Sequence, residues 1–252
     1  MKPRFRRTSA PTMRTLLTAG AVTIFVGLVV AIVVAALIPR QSVSADSADL
    51  QSPPITSTPS QESDDSPMVT FLGDSYTSGS KMDSGADHRY PALVGEALGV
   101  RVRAAGFGAA GYVTPGTARK TFSGLLPRIH VDSDVVVIFG SRSDKDGYQP
   151  TYDAALQMYQ SIRARFPEIV IVAVSPAPVE ADIPQTITDD ISAIHDAATA
   201  AGATFVDAST WLNSGTPGII GKDHFHPTDA GHRHLAELFT PVVQAALESR
   251  AP

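Results

Sequence analysis

From residue 68 onward the sequence predicts an α/β fold, a parallel sheet covered by helices on both faces. Two observations carry this. Several short runs are continuously apolar, as strands buried on both faces must be: MVTFLG over 68–73, DVVVIFG over 134–140 and EIVIVAV over 168–174. Longer stretches at helical spacing lie between and after these runs, and alternation of the two builds parallel sheets.

The domain opens with residues 68–79, MVTFLGDSYTSG. Val69, Phe71 and Leu72 supply apolar, strand-favouring side chains before the run breaks at Gly73 into a polar turn. A second short strand is predicted over 100–104, a buried strand over 134–140 and a helix over 151–166, with Ala155, Met158, Ile162 and Phe166 on one stripe. The strand over 168–174 ends before Ser175-Pro176. A helix follows over 185–201 and stops before Gly202, then a fifth strand over 204–207 and a closing amphipathic helix over 228–249. No internal repeat is present.

Ahead of the domain the chain changes character twice. Lys2, Arg4, Arg6, Arg7 and Arg14 give residues 1–14 a basic character, and residues 15–38 then carry no charge. That length suits a helix crossing a bilayer. The basic flank predicts a cytoplasmic N-terminus and an extracytoplasmic domain. A cleaved signal peptide with Val43-Ser44-Ala45 at the cleavage site is the alternative, disfavoured by the length of the apolar run. Residues 39–67 read as a disordered spacer. Rich in Ser, Pro, Asp, Gln and Thr, with Leu50 and Ile55 almost their only large apolar groups, they cannot bury enough surface to offset their ordering entropy. Residues 68–252 are predicted to form the folded domain.

Composition narrows the chemistry. A chain of 252 residues, 43% hydrophobic, is long enough for one sizeable core. Its formal net charge of −5 argues against a nucleic-acid partner. The absence of cysteine excludes disulfides, thiol catalysis and a cysteine-anchored lipoprotein.

A strand that ends in glycine and a small hydroxyl residue is where open α/β sheets place chemistry, at the carboxyl ends of strands. Ser75 is therefore the candidate nucleophile, against the plainer reading of a polar turn whose Ser or Asp caps a helix. Near the C-terminus stands KDHFHPT over 222–228. Asp223 and His226, three residues apart, can face the same way, so that Asp223 holds one ring nitrogen while the other meets a nucleophile. A serine hydroxyl needs such help at neutral pH. In the order Ser75, Asp223, His226 the three suit covalent hydrolysis. Asp223, His224 and His226 as metal ligands lack a third distant cluster, and no metal or organic cofactor is expected.

Two motifs carry a family resemblance: GDSxxxG at Gly73, Asp74, Ser75 and Gly79, and DxxHP at Asp223, His226 and Pro227. Through them the domain resembles the GDSL/SGNH hydrolases, a superfamily of serine esterases and lipases. The resemblance implies a flavodoxin-like three-layer α/β/α fold, with Ser75 as nucleophile, His226 as general base and then acid, and Asp223 as its orienting partner. It also implies an oxyanion hole built from the Ser75 N–H, a backbone N–H at Gly108 or Ala109, and a side chain in the third family block. That block usually ends in Asn-Asp; here it reads GSRSD over 140–144. With Asp144 aligned, Ser143 takes the asparagine's place, its hydroxyl donating one hydrogen bond over a shorter reach. A one-residue shift would put Arg142 there instead.

The leading expectation is an extracytoplasmic, membrane-anchored serine ester hydrolase acting through an acyl-enzyme on a carboxylic ester, such as a cell-envelope lipid or acylated sugar. Transfer of the acyl group to a cell-envelope glycan is the second reading. A non-catalytic module that binds glycan or lipid is the third. Asp74 is read as fixing its turn, and His232 and His234 as surface residues of the last helix. Tyr76, Trp211 and Leu212 are left open between lining the substrate cleft and ordinary packing.

Overall fold

The computed structural model describes residues 65–250. The expected membrane span over 15–38 and nearly all of the spacer lie outside the described residues. Among the described residues no helix is long and apolar enough to cross a membrane.

The chain runs through β1 (Met68–Gly73), the single-turn helix α1 (Ser75–Ser78), α2 (Tyr90–Leu98), β2 (Arg101–Gly106), β3 (Val135–Phe139), α3 (Tyr148–Arg165), β4 (Val170–Val174), α4 (Gln185–Ala200), β5 (Thr204–Val206) and α5 (Asp229–Glu248). Short 3-10 turns at Ala86–His88 and Phe122–Arg128 punctuate the connections. All strand pairs are parallel, in the order β2-β1-β3-β4-β5, which is the flavodoxin-like doubly wound order. Register places Phe71 beside Ala104 on one side and Val137 on the other, and Val137 beside Val172.

The continuous apolar runs are explained by the two cores. Val69, Phe71, Val135, Val137, Phe139, Val172 and Val174 point to one face, against Tyr90 and Val94 of α2 and Leu235, Phe239 and Val243 of α5. Leu72, Val136, Ile138, Ile171 and Ala173 point to the other, against Met158, Tyr159 and Ile162 of α3 and Ile194 and Ala197 of α4. Rings lock the first core. Tyr90 stacks on Phe239 at 4.5 Å, and Phe71 and Phe139 meet Phe239 edge-on at 6.2 and 5.2 Å. Truncating such a buried ring to alanine costs about 3–5 kcal/mol.

Sequence periodicity does not announce α2, because it is short, carries Pro91 in its first turn and has Gly95 in the middle. Gly95 is there for close approach: an added Cβ would lie 2.7 Å from Val102 Cγ1, so the glycine lets α2 sit on β2. β2 also runs two residues further than the predicted 100–104, ending at Gly106. A Cβ at Gly106 would sit 2.4 Å from the Asp74 carbonyl oxygen, so a glycine here lets the end of β2 touch the turn that carries Ser75.

The surface assignment of two histidines needs correction. His232 is 1% exposed, on the stripe of α5 that also carries Leu235, Phe239, Val243 and Ala246. It is stacked on Tyr90 at 6.3 Å, and burial pulls its pKa down to about 4. His234 is half-buried, its Nε2 2.9 Å from the Trp211 carbonyl oxygen. Trp211 packs edge-on against Phe239 at 4.9 Å and Leu212 is buried in the same core, so both belong to the packing.

Candidate active site

Because every strand is parallel, the loops that follow them gather at one edge of the sheet. Ser75 follows β1, residues 107–117 follow β2, residues 140–147 follow β3, Glu180 follows β4, and Asp223 and His226 lie beyond β5. The crevice falls where β1 and β3 are neighbours but their outgoing connections diverge.

Asp74 shapes the turn that carries Ser75. Its Oδ1 accepts from the Tyr76 N–H at 2.8 Å, capping α1, and its Oδ2 accepts from the Ser141 hydroxyl at 2.9 Å. Burial pushes this carboxyl up, and the bonds from Tyr76 and Ser141 pull it back, leaving it at about 6. Asp74 thus fixes the turn, as its sequence position suggests. Ser75, the first residue of α1, faces His226: Ser75 Oγ and His226 Nε2 are 3.0 Å apart. His226 Nδ1 lies 2.7 Å from Asp223 Oδ2.

The Asp223 turn is closed by its own side chain. Asp223 Oδ1 accepts from the Phe225 and His226 N–H groups at 3.1 and 3.0 Å, and the Gly221 N–H donates to the His226 carbonyl at 2.8 Å. Desolvation raises the Asp223 carboxyl, but the His226 backbone and ring and the Phe225 N–H outweigh it and hold the group at about 2. Ionised Asp223 accepts a hydrogen bond from the Nδ1–H of His226, which leaves Nε2 as acceptor for the Ser75 hydroxyl. The structure therefore brings the predicted Ser75, His226 and Asp223 into one hydrogen-bonded series.

The remaining predicted residues lie on two loops tied to this turn. The Phe107 N–H donates to the Gly73 carbonyl at 3.2 Å, so the loop of Gly108 and Ala109 leaves the sheet beside the Ser75 turn. Ala109 adopts a left-handed φ of 57°, unusual for a residue with a Cβ. Among the described residues, the N–H groups of Ser75, Gly108 and Ala109 donate to no other protein group. The Ser143 N–H donates to Ser141 Oγ at 3.1 Å and its carbonyl accepts from Thr114 Oγ1 at 2.9 Å, while its hydroxyl has no partner among the described residues. Arg142 is engaged elsewhere: Nη1 donates to Tyr76 Oη at 3.3 Å, Nη2 pairs with Glu180, and the guanidinium lies 4.4 Å over the Phe225 ring.

Three contributions escape the sequence reading. Ser141 couples the loop after β3 to Asp74. Asp144 caps the loop after β2, its carboxylate accepting from the Tyr112, Val113 and Thr114 N–H groups at 2.7, 2.9 and 2.8 Å. Burial raises this carboxyl and those N–H bonds pull it down, with a net rise. Tyr76, 3% exposed, donates its hydroxyl to the Phe225 carbonyl at 2.7 Å and so ties the Ser75 turn to the histidine turn. An Asp following two serines and a Tyr following the nucleophile were visible in the sequence, but their partners were not.

A cavity of about 500 Å³ runs along the outer edge of β2, with Ser78, Gly106 and Phe107 at one end. Among the described residues no group of three or more His, Cys, Asp or Glu side chains could hold a metal ion.

Residues 71–234 match the GDSL-like Lipase/Acylhydrolase family. The chain is 34% identical over 192 residues to a GDSL lipase of Mycobacterium tuberculosis, covering 71% of this chain and 82% of that one. Similar solved structures include a carbohydrate acetylesterase, Est24 from Sinorhizobium meliloti (TM-score 0.55, 19% identity, 71% of this chain and 99% of that one). They also include the salicylyl-acyltransferase SsfX3 from a tetracycline biosynthetic pathway (TM-score 0.60, 20% identity, 73% of this chain and 56% of that one). At those identities the structures speak to the fold. The sequence matches speak to the family: the chain belongs to the GDSL-like lipases and acylhydrolases, a family of ester hydrolases.

Proposed function

We propose that the protein is a membrane-tethered, extracytoplasmic serine esterase working through an acyl-enzyme. The hydrogen-bonded series Ser75–His226–Asp223 carries this reading. Ser75 Oγ attacks the ester carbonyl while His226 Nε2 takes its proton. Asp223 stabilises the imidazolium and keeps Nε2 facing the nucleophile. The tetrahedral oxyanion is held by the N–H groups of Ser75 and of Gly108 or Ala109, with the Ser143 hydroxyl as third donor. Collapse expels the alcohol, protonated by His226. Water, deprotonated by His226, then attacks the acyl carbon and restores Ser75. The chemistry needs no metal or organic cofactor.

The substrate is a carboxylic ester reached from outside the membrane, with an envelope lipid or an acylated sugar the best fit to the anchored placement. The anchor reading rests on the uncharged run over 15–38 and its basic flank. Recovery with membranes after salt and high-pH washes is expected, and a mature form beginning near Asp46 would replace the anchor with a cleaved signal. The function is tested by incubating the full-length protein with acyl esters of graded chain length, with and without a sugar acceptor. Release of free acid irrespective of acceptor supports hydrolysis. Diversion of most product to the acceptor makes it a transferase, and no turnover of any ester overturns the enzymatic reading.

A further inference from the structure

Arg142 is nearly buried, its side chain 9% exposed, and its guanidinium lies over Phe225 of the histidine turn. The need for support there is visible in the backbone. His224, between Asp223 and His226, has φ of 56°, a left-handed conformation that a side chain other than glycine's disfavours. Local preference therefore works against the turn, and contacts from elsewhere must hold it. From the sheet side those contacts converge on Phe225, the residue before His226.

Tyr76 grips the Phe225 carbonyl and Arg142 covers the Phe225 ring. The two grips are coupled. A guanidinium can only donate, so the Arg142 Nη1 bond to Tyr76 Oη requires the phenol to spend its own proton on the Phe225 carbonyl. Burial raises the Tyr76 pKa well above the ordinary phenol value, so the hydroxyl keeps that proton. Glu180, half-exposed on the loop after β4, holds the outer end of the guanidinium. The arrangement is costly, because Arg142 Nε is buried and has no acceptor among the described residues.

We propose that Arg142 is a positioning residue that clamps Phe225, through its ring and through Tyr76, and thereby fixes His226 against Ser75. The role rests on the catalytic reading of Ser75 and His226. It differs from a third oxyanion donor: both terminal nitrogens already serve the clamp.

The test compares full-length Arg142→Met, Arg142→Lys, Tyr76→Phe and the Arg142→Met/Tyr76→Phe double variant, with matched thermal melts. Misplacing a catalytic group by a fraction of an ångström to 1 Å is expected to lower kcat about tenfold to a hundredfold for Arg142→Met, with KM within about twofold. Tyr76→Phe should fall in the same range, and the double variant should be little worse than either single variant, because the two residues are bonded to each other and hold one residue, Phe225. Arg142→Lys, which keeps a donor to Tyr76 and the charge, should recover part of the loss and guards against an unfolded methionine variant. Hydrogen exchange gives a readout independent of turnover: peptides covering 222–228 should exchange faster in Arg142→Met while those of β1 and β3 do not. Unchanged exchange in that turn, a wild-type kcat, or a loss confined to KM would each overturn the clamp. Additive losses in the double variant would overturn the coupling through Tyr76. If wild-type protein turns over no ester, the hydrolase reading fails, while exchange still decides the clamp.

Discussion

The turn that carries Asp223 and His226 is stitched within itself, by a carboxylate two and three residues from the N–H groups it holds. The loops that carry Gly108, Ala109 and Ser143 are held from afar. Asp144 reaches back 30 to 32 positions to cap residues 112–114, and Ser141 reaches 67 positions to Asp74. One half of the site is thus closed by short-range side-chain-to-backbone bonds and braced from afar only at Phe225, and the other is built by tertiary contacts between strand ends. Long-range construction depends on the sheet and should fail together with stability.

The sharpest break falls on the local half. Ser75→Ala or His226→Ala should each lower kcat by roughly four to six orders of magnitude without lowering the melting temperature, and the double variant should add little, since the residues act as a unit. Asp223→Asn should cost less, about three to four orders, by offering His226 the wrong tautomer. Steady-state kinetics on the three variants check both. Losses that multiply in the double variant would mean that Ser75 and His226 do not share one step.

The distant half should behave differently. Asp144→Asn replaces one acceptor oxygen with a donor facing backbone N–H groups. It should therefore destabilise by about 1–3 kcal/mol in chemical denaturation and lower kcat as the loop after β2 loosens. Coupled losses of stability and rate are the signature sought; a rate loss at full stability would place Asp144 with the local half. Ser143→Ala is expected to be smaller. Its hydroxyl has no partner among the described residues, so stability should hold while kcat drops about tenfold and KM stays put, as for a donor that acts in the transition state. A silent Ser143→Ala would remove its side chain from the oxyanion hole.

The mildest effect concerns pH. Asp190, on α4, is fully buried, with Oδ1 accepting from Thr151 at 2.8 Å and Oδ2 unpartnered among the described residues. Burial pushes its carboxyl up to about 7; the Thr151 hydroxyl opposes this, and Asp144, Asp189 and Asp146 add to it. The folded state therefore holds a proton that the unfolded chain releases near pH 4. This contribution to stability is fully present below pH 4 and is lost as pH rises through 4 to 7. Asp74 acts in the same sense between about 4 and 6. His232 opposes both: kept neutral in the fold to about pH 4, it favours folding above 6.5 and loses that contribution as pH falls through 6.5 to 4. Asp190→Asn should flatten the decline by about 1–3 kcal/mol between pH 4 and 7. Denaturation midpoints across that range measure it; an unchanged profile would show that Asp190 carries no excess proton.

The same local-versus-distant division explains what the sequence reveals. β3 and β4 are legible because strands covered on both faces leave uninterrupted apolar runs. The Ser75 turn and the Asp223–His226 pair are legible because short sequence spacing alone brings their polar groups together. The capping by Asp144, the Tyr76–Phe225 tie and the placement of Arg142 are not, because each depends on which strand end lies next to which. α2 is hidden by Pro91 and Gly95, whose value is tertiary. The burial of His232 was available from its place on the stripe with Leu235, Phe239 and Val243, but a polar residue type pointed the other way.

The proposed mechanism requires that Ser75 become acylated. Full-length protein mixed with excess activated acyl ester, quenched in acid within milliseconds to seconds and digested, should yield a peptide containing Ser75 heavier by the acyl group. The adduct should appear in a burst, persist longer in Asp223→Asn, and be absent in Ser75→Ala. An adduct on another residue, or undiminished turnover by Ser75→Ala, would contradict the account.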